Sequence, residues 1–146
     1  YDALGRDDTA YLIARAVQFF LPGIPQVYYV GLLAGENDMA LLQRSGVGRD
    51  INRQHFSRAE VQARLGKPVV ADLLRLIRLR NGHPAFSGRF AVLPSPEGEL
   101  VLRWSTDAAS VQLWVDFASR RATVNTHDAA GDTVWSFVDT DTPVAA

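Results

Sequence analysis

The sequence predicts an α/β unit followed by a small antiparallel β-sheet. Three observations carry this reading. A helix that is apolar almost all round, starting near Asp7, leads into a continuous β-branched and aromatic run at 26–33. A second helix, apolar on one face, follows from Pro68. Beyond Phe86 the chain reads as short strands only. A helix feeding a strand covered on both faces is one step of an α/β fold, whereas strands in series make a sheet of their own.

The first helix takes Asp7 or Asp8 as its cap, because a carboxylate there accepts from the free N–H groups of the first turn. Pro22 and Gly23 end it. Tyr11, Leu12, Ile13, Ala14, Ala16, Val17, Phe19 and Phe20 make it apolar nearly all round, so it needs partners on more than one side. Gln26–Leu33 follows as the predicted buried strand, with Tyr28 and Tyr29 in the sheet core. Residues 34–56 form a long connection with a short helix near Met39–Arg44. Connections this long are usually functional or disordered. Ser57 and Glu60 have capping-box spacing for a further short helix. Pro68 then fits the first turn of the next helix, where its missing N–H costs nothing.

After residue 87, strands are predicted at Arg89–Leu93, Glu99–Trp104, Ser110–Phe117, Arg121–Thr126 and Val134–Val138. Pro94–Gly98 and Asp128–Asp132 supply turns. Val111, Leu113, Val115 and Phe117 alternate with Gln112, Trp114 and Asp116, which gives the sheet two unequal faces.

Composition narrows the function classes. The 146 residues carry a net charge of −1, which creates no field for nucleic acid or an anionic membrane. Among the 15 basic residues only Lys67 is a lysine. There is no cysteine, so there is no disulfide, thiolate metal site or cysteine nucleophile, and a cytoplasmic location is expected. No apolar run is long enough to span a bilayer. No Gly-rich phosphate loop and no nucleophile elbow occurs, and neither cofactor nor metal is expected. A start at Tyr1 rather than Met is what a segment cut from a longer chain would have.

Gly23-Ile24-Pro25-Gln26-Val27-Tyr28-Tyr29-Val30-Gly31 resembles the last barrel strand of the α-amylase-type glycoside enzymes. Leu76–Arg80 with His83-Pro84-Ala85-Phe86 resembles their last barrel helix. The stretches 30–39 and 48–53 resemble the sucrose phosphorylase branch. The resemblance implies that residues 1–86 are the C-terminal part of a (β/α)₈ barrel, its last strand–helix units, with 34–56 as an active-site loop. Residues 87–146 are then a C-terminal all-β domain. It further implies glucosyl transfer with retention, from sucrose or a related glucoside to inorganic phosphate, through a covalent glucosyl-enzyme. Glucosylglycerate or a sucrose phosphate are the alternative substrates. The catalytic carboxylates lie upstream in that family, so none is in this chain, which alone is expected to be inactive. The missing part of the barrel is the expected partner, and an oligomer is left open.

One family site residue carries over. Arg49 matches the arginine that holds the glucosyl unit, a role suited to a guanidinium's fixed fork of donors. Asp50 and Arg53 are expected to support the loop. Glu36 and Asp38 match no family nucleophile and are expected to solvate the loop or cap its helix. His55, His83 and His127 lack metal-site spacing. Trp104, Trp114 and Trp135 carry a reading of another class, a sugar-binding β module, although aromatics of a small sheet more often pack its core. The apolar helix and strand, lacking neighbours, also lead to the expectation that the isolated chain is poorly soluble or oligomeric.

Overall fold

The computed structural model describes residues 1–138. The last residues of the predicted all-β unit, 139–146, lie outside the described residues.

Asp7 is the cap of the first helix, α1 (Asp8–Phe20), its carboxylate accepting from the Ala10 N–H at 2.8 Å. The helix buries Tyr11, Leu12, Ile13, Ala16, Phe19 and Phe20. Its last carbonyls, which have no partner within the helix, are taken by groups far along the chain. The Trp104 indole N–H donates to the Phe20 carbonyl at 2.6 Å, and Arg80 Nη2 donates to the Gly23 carbonyl just beyond at 2.9 Å. The Arg80 guanidinium lies 4.5 Å from the Phe86 ring centroid and 4.9 Å from that of Trp104.

The predicted strand at 26–33 does not form. Residues 24–28 form no helix or strand, with Tyr28 extended at its end, and α2 (Tyr29–Leu32) is a single helical turn. A strand needs neighbours to satisfy its N–H and C=O groups. Among the described residues none pairs with this stretch, so the backbone closes on itself. Leu32 N–H bonds to Tyr28 O at 2.9 Å and Gly35 N–H to Val30 O at 2.7 Å. Tyr28 and Tyr29 are accordingly not sheet core; they are 53% and 39% exposed, and Ile24 is 91% exposed.

Three more helices follow: α3 (Met39–Ser45), α4 (Arg58–Leu65) and α5 (Pro68–Gly82). Ser57 and Glu60 form the capping box at α4, with reciprocal bonds of 3.2 and 2.7 Å. Pro68 opens α5, which buries Val69, Val70, Leu73 and Leu76.

The strands β1 (Arg89–Leu93), β2 (Glu99–Ser105), β3 (Ser110–Asp116), β4 (Arg121–Asp128) and β5 (Gly131–Val138) form one antiparallel sheet in sequential order. Its inner face carries Leu102, Trp104, Val111, Leu113, Val115, Ala122, Val124 and Phe137, all buried. Full burial of a Val or Leu side chain contributes about 1.5–3 kcal/mol. Phe117 falls one residue past β3 and is 53% exposed instead of joining this face. α1 lies across β2 to β5, and α5 packs on α1. One apolar core therefore runs from Tyr11 through Leu76 and Ala85 to Phe137.

The joint between helices and sheet is tightest at Gly88, which precedes β1. A Cβ there would stand 2.6 Å from the Ser105 carbonyl carbon and overlap its oxygen. That obstacle is backbone of a paired strand, so it cannot swing aside. Gly88→Ala is expected to cost about 2–3 kcal/mol, at the upper end for overpacking, read as a lowered urea midpoint at unchanged m-value.

Candidate functional site

The connection between α2 and α4 is a strap pinned at both ends. Asp38 caps α3, accepting from the Leu41 N–H at 2.8 Å, and its own N–H donates to the Ile51 carbonyl at 2.6 Å. Gly46, at φ +67°, closes α3 in the left-handed conformation that glycine adopts without strain. The chain then makes a 3₁₀ turn at Gly48–Asn52.

At the near end, Ala34 is held at φ +46°, a conformation costing a non-glycine residue on the order of 1 kcal/mol. Arg64 steadies it, donating to the Ala34 carbonyl at 2.9 Å and the Leu33 carbonyl at 3.3 Å. Its guanidinium also sits 4.6 Å from the Phe56 centroid. Gly35 is enclosed, because a Cβ would meet Val30 Cγ1 at 2.6 Å and Phe56 Cζ at 2.9 Å. The Tyr29 hydroxyl donates to the Gln54 carbonyl at 2.8 Å, which ties the far end of the strap to α2.

The N-terminal turn holds the middle. Asp2 accepts from the Asn37 N–H and from Arg6 Nε at 2.5 Å, and Arg6 Nη1 pairs with Glu36 at 2.9 Å. The Asn37 N–H, then the Arg6 guanidinium, hold the Asp2 carboxyl below its ordinary value of 3.8. A folded pKa below the unfolded one means that the bond's contribution is complete above the unfolded value. It is lost as pH falls through the folded value. The Asn37 amide resonance is therefore expected to titrate with a midpoint below 3.8, and Asp2→Asn to abolish that titration.

Arg49 stands on the 3₁₀ turn, exposed, and makes no hydrogen bond or ion pair among the described residues. Asp50 is half-buried, its N–H bonded to the Val47 carbonyl at 2.9 Å, and Arg53 Nη1 lies 3.9 Å from its carboxylate. Glu36 and Asp38 are spent on Arg6 and on the α3 cap. Among the described residues no group of three or more His, Asp or Glu gathers as a metal site would. His55 is exposed. The His83 side chain is 6% exposed, accepts from the Ala85 N–H at 3.3 Å, and points Nε2 at Asp128 from 3.4 Å. His127 pairs with Asp132 at 2.6 Å.

The three tryptophans do not form one platform. Trp104 and Trp135 are on the inner face, Trp135 under the Arg75 guanidinium at 3.8 Å. Trp114 is on the outer face, its indole bonded to Glu99 at 2.6 Å. The strap's anchors Asp2, Arg6, Tyr29 and Arg64 carried no sequence signal, because their partners lie about 25 to 35 residues away outside Arg6–Asp2.

No family model matches the chain. It is 56% identical over 124 residues to a sucrose phosphorylase of Agrobacterium vitis, covering 85% of this chain and 25% of that protein. It is 49% identical over 116 residues to a glucosylglycerol phosphorylase of Marinobacter adhaerens, covering 80% of this chain and 24% of the relative. The crystal structure of sucrose 6F-phosphate phosphorylase from Thermoanaerobacter thermosaccharolyticum superimposes with a TM-score of 0.88 at 42% identity. That match takes in 95% of this chain and 28% of the other. The five-stranded sheet and the helices packed on it are thus shared in sequence and shape. The chain belongs to the sucrose phosphorylase-like family of glucoside phosphorylases and spans about a quarter of the length of the relatives it matches.

Proposed function

We propose that the chain supplies the C-terminal end of a (β/α)₈ barrel, residues 1–86, and a small all-β domain, residues 87–146, to a retaining glucoside phosphorylase. The remainder of the enzyme brings the catalytic carboxylates. One attacks the anomeric carbon of sucrose or a related glucoside, while the other protonates the departing oxygen. Phosphate then attacks the glucosyl-enzyme, its proton passes to the acid/base group, and glucose 1-phosphate leaves with its configuration retained.

In this reading residues 24–28, in no helix or strand here, become the last barrel strand when neighbours flank them. Arg49 directs its fork at the glucosyl hydroxyls, and Asp50 and Arg53 stiffen the turn beneath it. The chain works in the cytoplasm and needs no cofactor of its own. The 56% identity to a sucrose phosphorylase carries the reading, and the uncommitted Arg49 on a pinned strap supports it. Sucrose 6F-phosphate, glucosylglycerol and glucosylglycerate are the alternative donors, because the acceptor-selecting residues belong to the remainder of the enzyme.

The test is glucose 1-phosphate formation by the enzyme containing this segment. Phosphorolysis of none of these glucosides overturns the activity. Wild-type kinetics in Arg49→Lys removes Arg49 from the donor subsite.

A further inference from the structure

The outer face of the sheet holds polar side chains that neither the fold nor the strap uses. Arg103, Gln112 and Asn125 stand in one row across β2, β3 and β4, directly opposite one another in register. Among the described residues their side chains make no hydrogen bond or ion pair, although the two amides are half-buried. The next row supplies Ser110 and His127, with Asp132 held by the imidazole at 2.6 Å. Together these groups line a hollow of about 410 Å³. Val134, 65% exposed, closes one end with an apolar patch. Adjacent strands lie about 4.8 Å apart, so the row from Arg103 to Val134 spans roughly 14 Å.

The chemistry selects the ligand class. The hollow carries one guanidinium and one carboxylate, so no excess positive charge draws an anion. Its amides and hydroxyl each donate and accept, as sugar hydroxyls do. An apolar patch beside such groups matches the C–H edge of a pyranose ring. Trp114 stands on the same face, one side-chain row along β3 from Gln112.

We propose that this hollow is a binding site for neutral saccharides, separate from the strap and from Arg49. It differs from a tryptophan platform, because two of the three tryptophans face inward. It does not rest on the phosphorylase reading.

The experiment is a ¹H–¹⁵N titration of the full chain with maltotriose and, separately, with inorganic phosphate. Maltotriose is expected to shift the Gln112 and Asn125 side-chain amides and the Trp114 indole, with a dissociation constant on the order of 1 mM. The double variant Gln112→Ala/Asn125→Ala is expected to weaken binding at least about tenfold. Arg103→Gln, which removes the charge from an exposed position, is expected to weaken it as well, and Arg49→Ala to leave it unchanged. Unperturbed spectra with maltotriose, a response to phosphate alone, or binding lost in Arg49→Ala but kept in the outer-face variants overturns the proposal.

Discussion

Under the proposed function, Arg49→Lys in the enzyme containing this segment is expected to lower kcat/KM for phosphorolysis roughly a hundredfold, about 2.7 kcal/mol at 1.36 kcal/mol per decade. A guanidinium holds two hydroxyls or a carboxylate with parallel bonds in a fixed plane, whereas an ammonium is a point charge on a flexible stem. The loss should fall on kcat as well as KM, because orientation of the sugar counts most in the transition state. Folding should be untouched. Arg49 is exposed and makes no bond or ion pair among the described residues, so lysine abandons no packing. Steady-state kinetics beside a thermal melt separates the two. A melt shifted in parallel with the activity would mean that Arg49 braces the strap instead.

Trp104→Ala is expected to destabilise the fold by about 4 kcal/mol, a large part of the 5–15 kcal/mol of an ordinary domain. The side chain is 9% exposed. Its ring meets Phe86 and Phe90 at centroid distances of 5.8 and 5.3 Å, and Arg80 stacks over it. Truncation opens a cavity, removes one of the two rings against Arg80 and leaves the Phe20 carbonyl without its donor. Trp104→Phe keeps much of the volume and loses the bond, for about 1–2 kcal/mol. Urea unfolding of both variants decides. Equal losses would mean that the bond to α1, rather than the packing, carries the effect.

Elements with local causes were legible in the sequence. Asp7, Asp38, Ser57 with Glu60, and Pro68 act within three or four residues of themselves, and each helix begins where those residues place it. The strands were legible because one buried face imposes a period of two. Residues 26–33 were misread, because an apolar β-branched run states a preference for a strand without supplying the neighbours that complete one. Tyr28 and Tyr29 followed that error. At the strap, the expectation for Arg49 rests on resemblance alone. The residues that pin the strap were not legible, since Asp2 and Arg64 act on backbone groups across separations of 35 and 30 residues. The outer-face row needed the register between three strands, which no single stretch of sequence contains.

The indole bond between Trp104 and Phe20 joins residues 84 positions apart. During synthesis at about 5–20 residues per second, roughly 4 to 17 s separate the two. For that interval the end of α1 has neither its donor nor the sheet that covers it. The meander, by contrast, pairs each strand with the one just made. The ribosome thus delivers an oily helix early and its lid late, a window in which chaperones would have to keep α1 out of the wrong company.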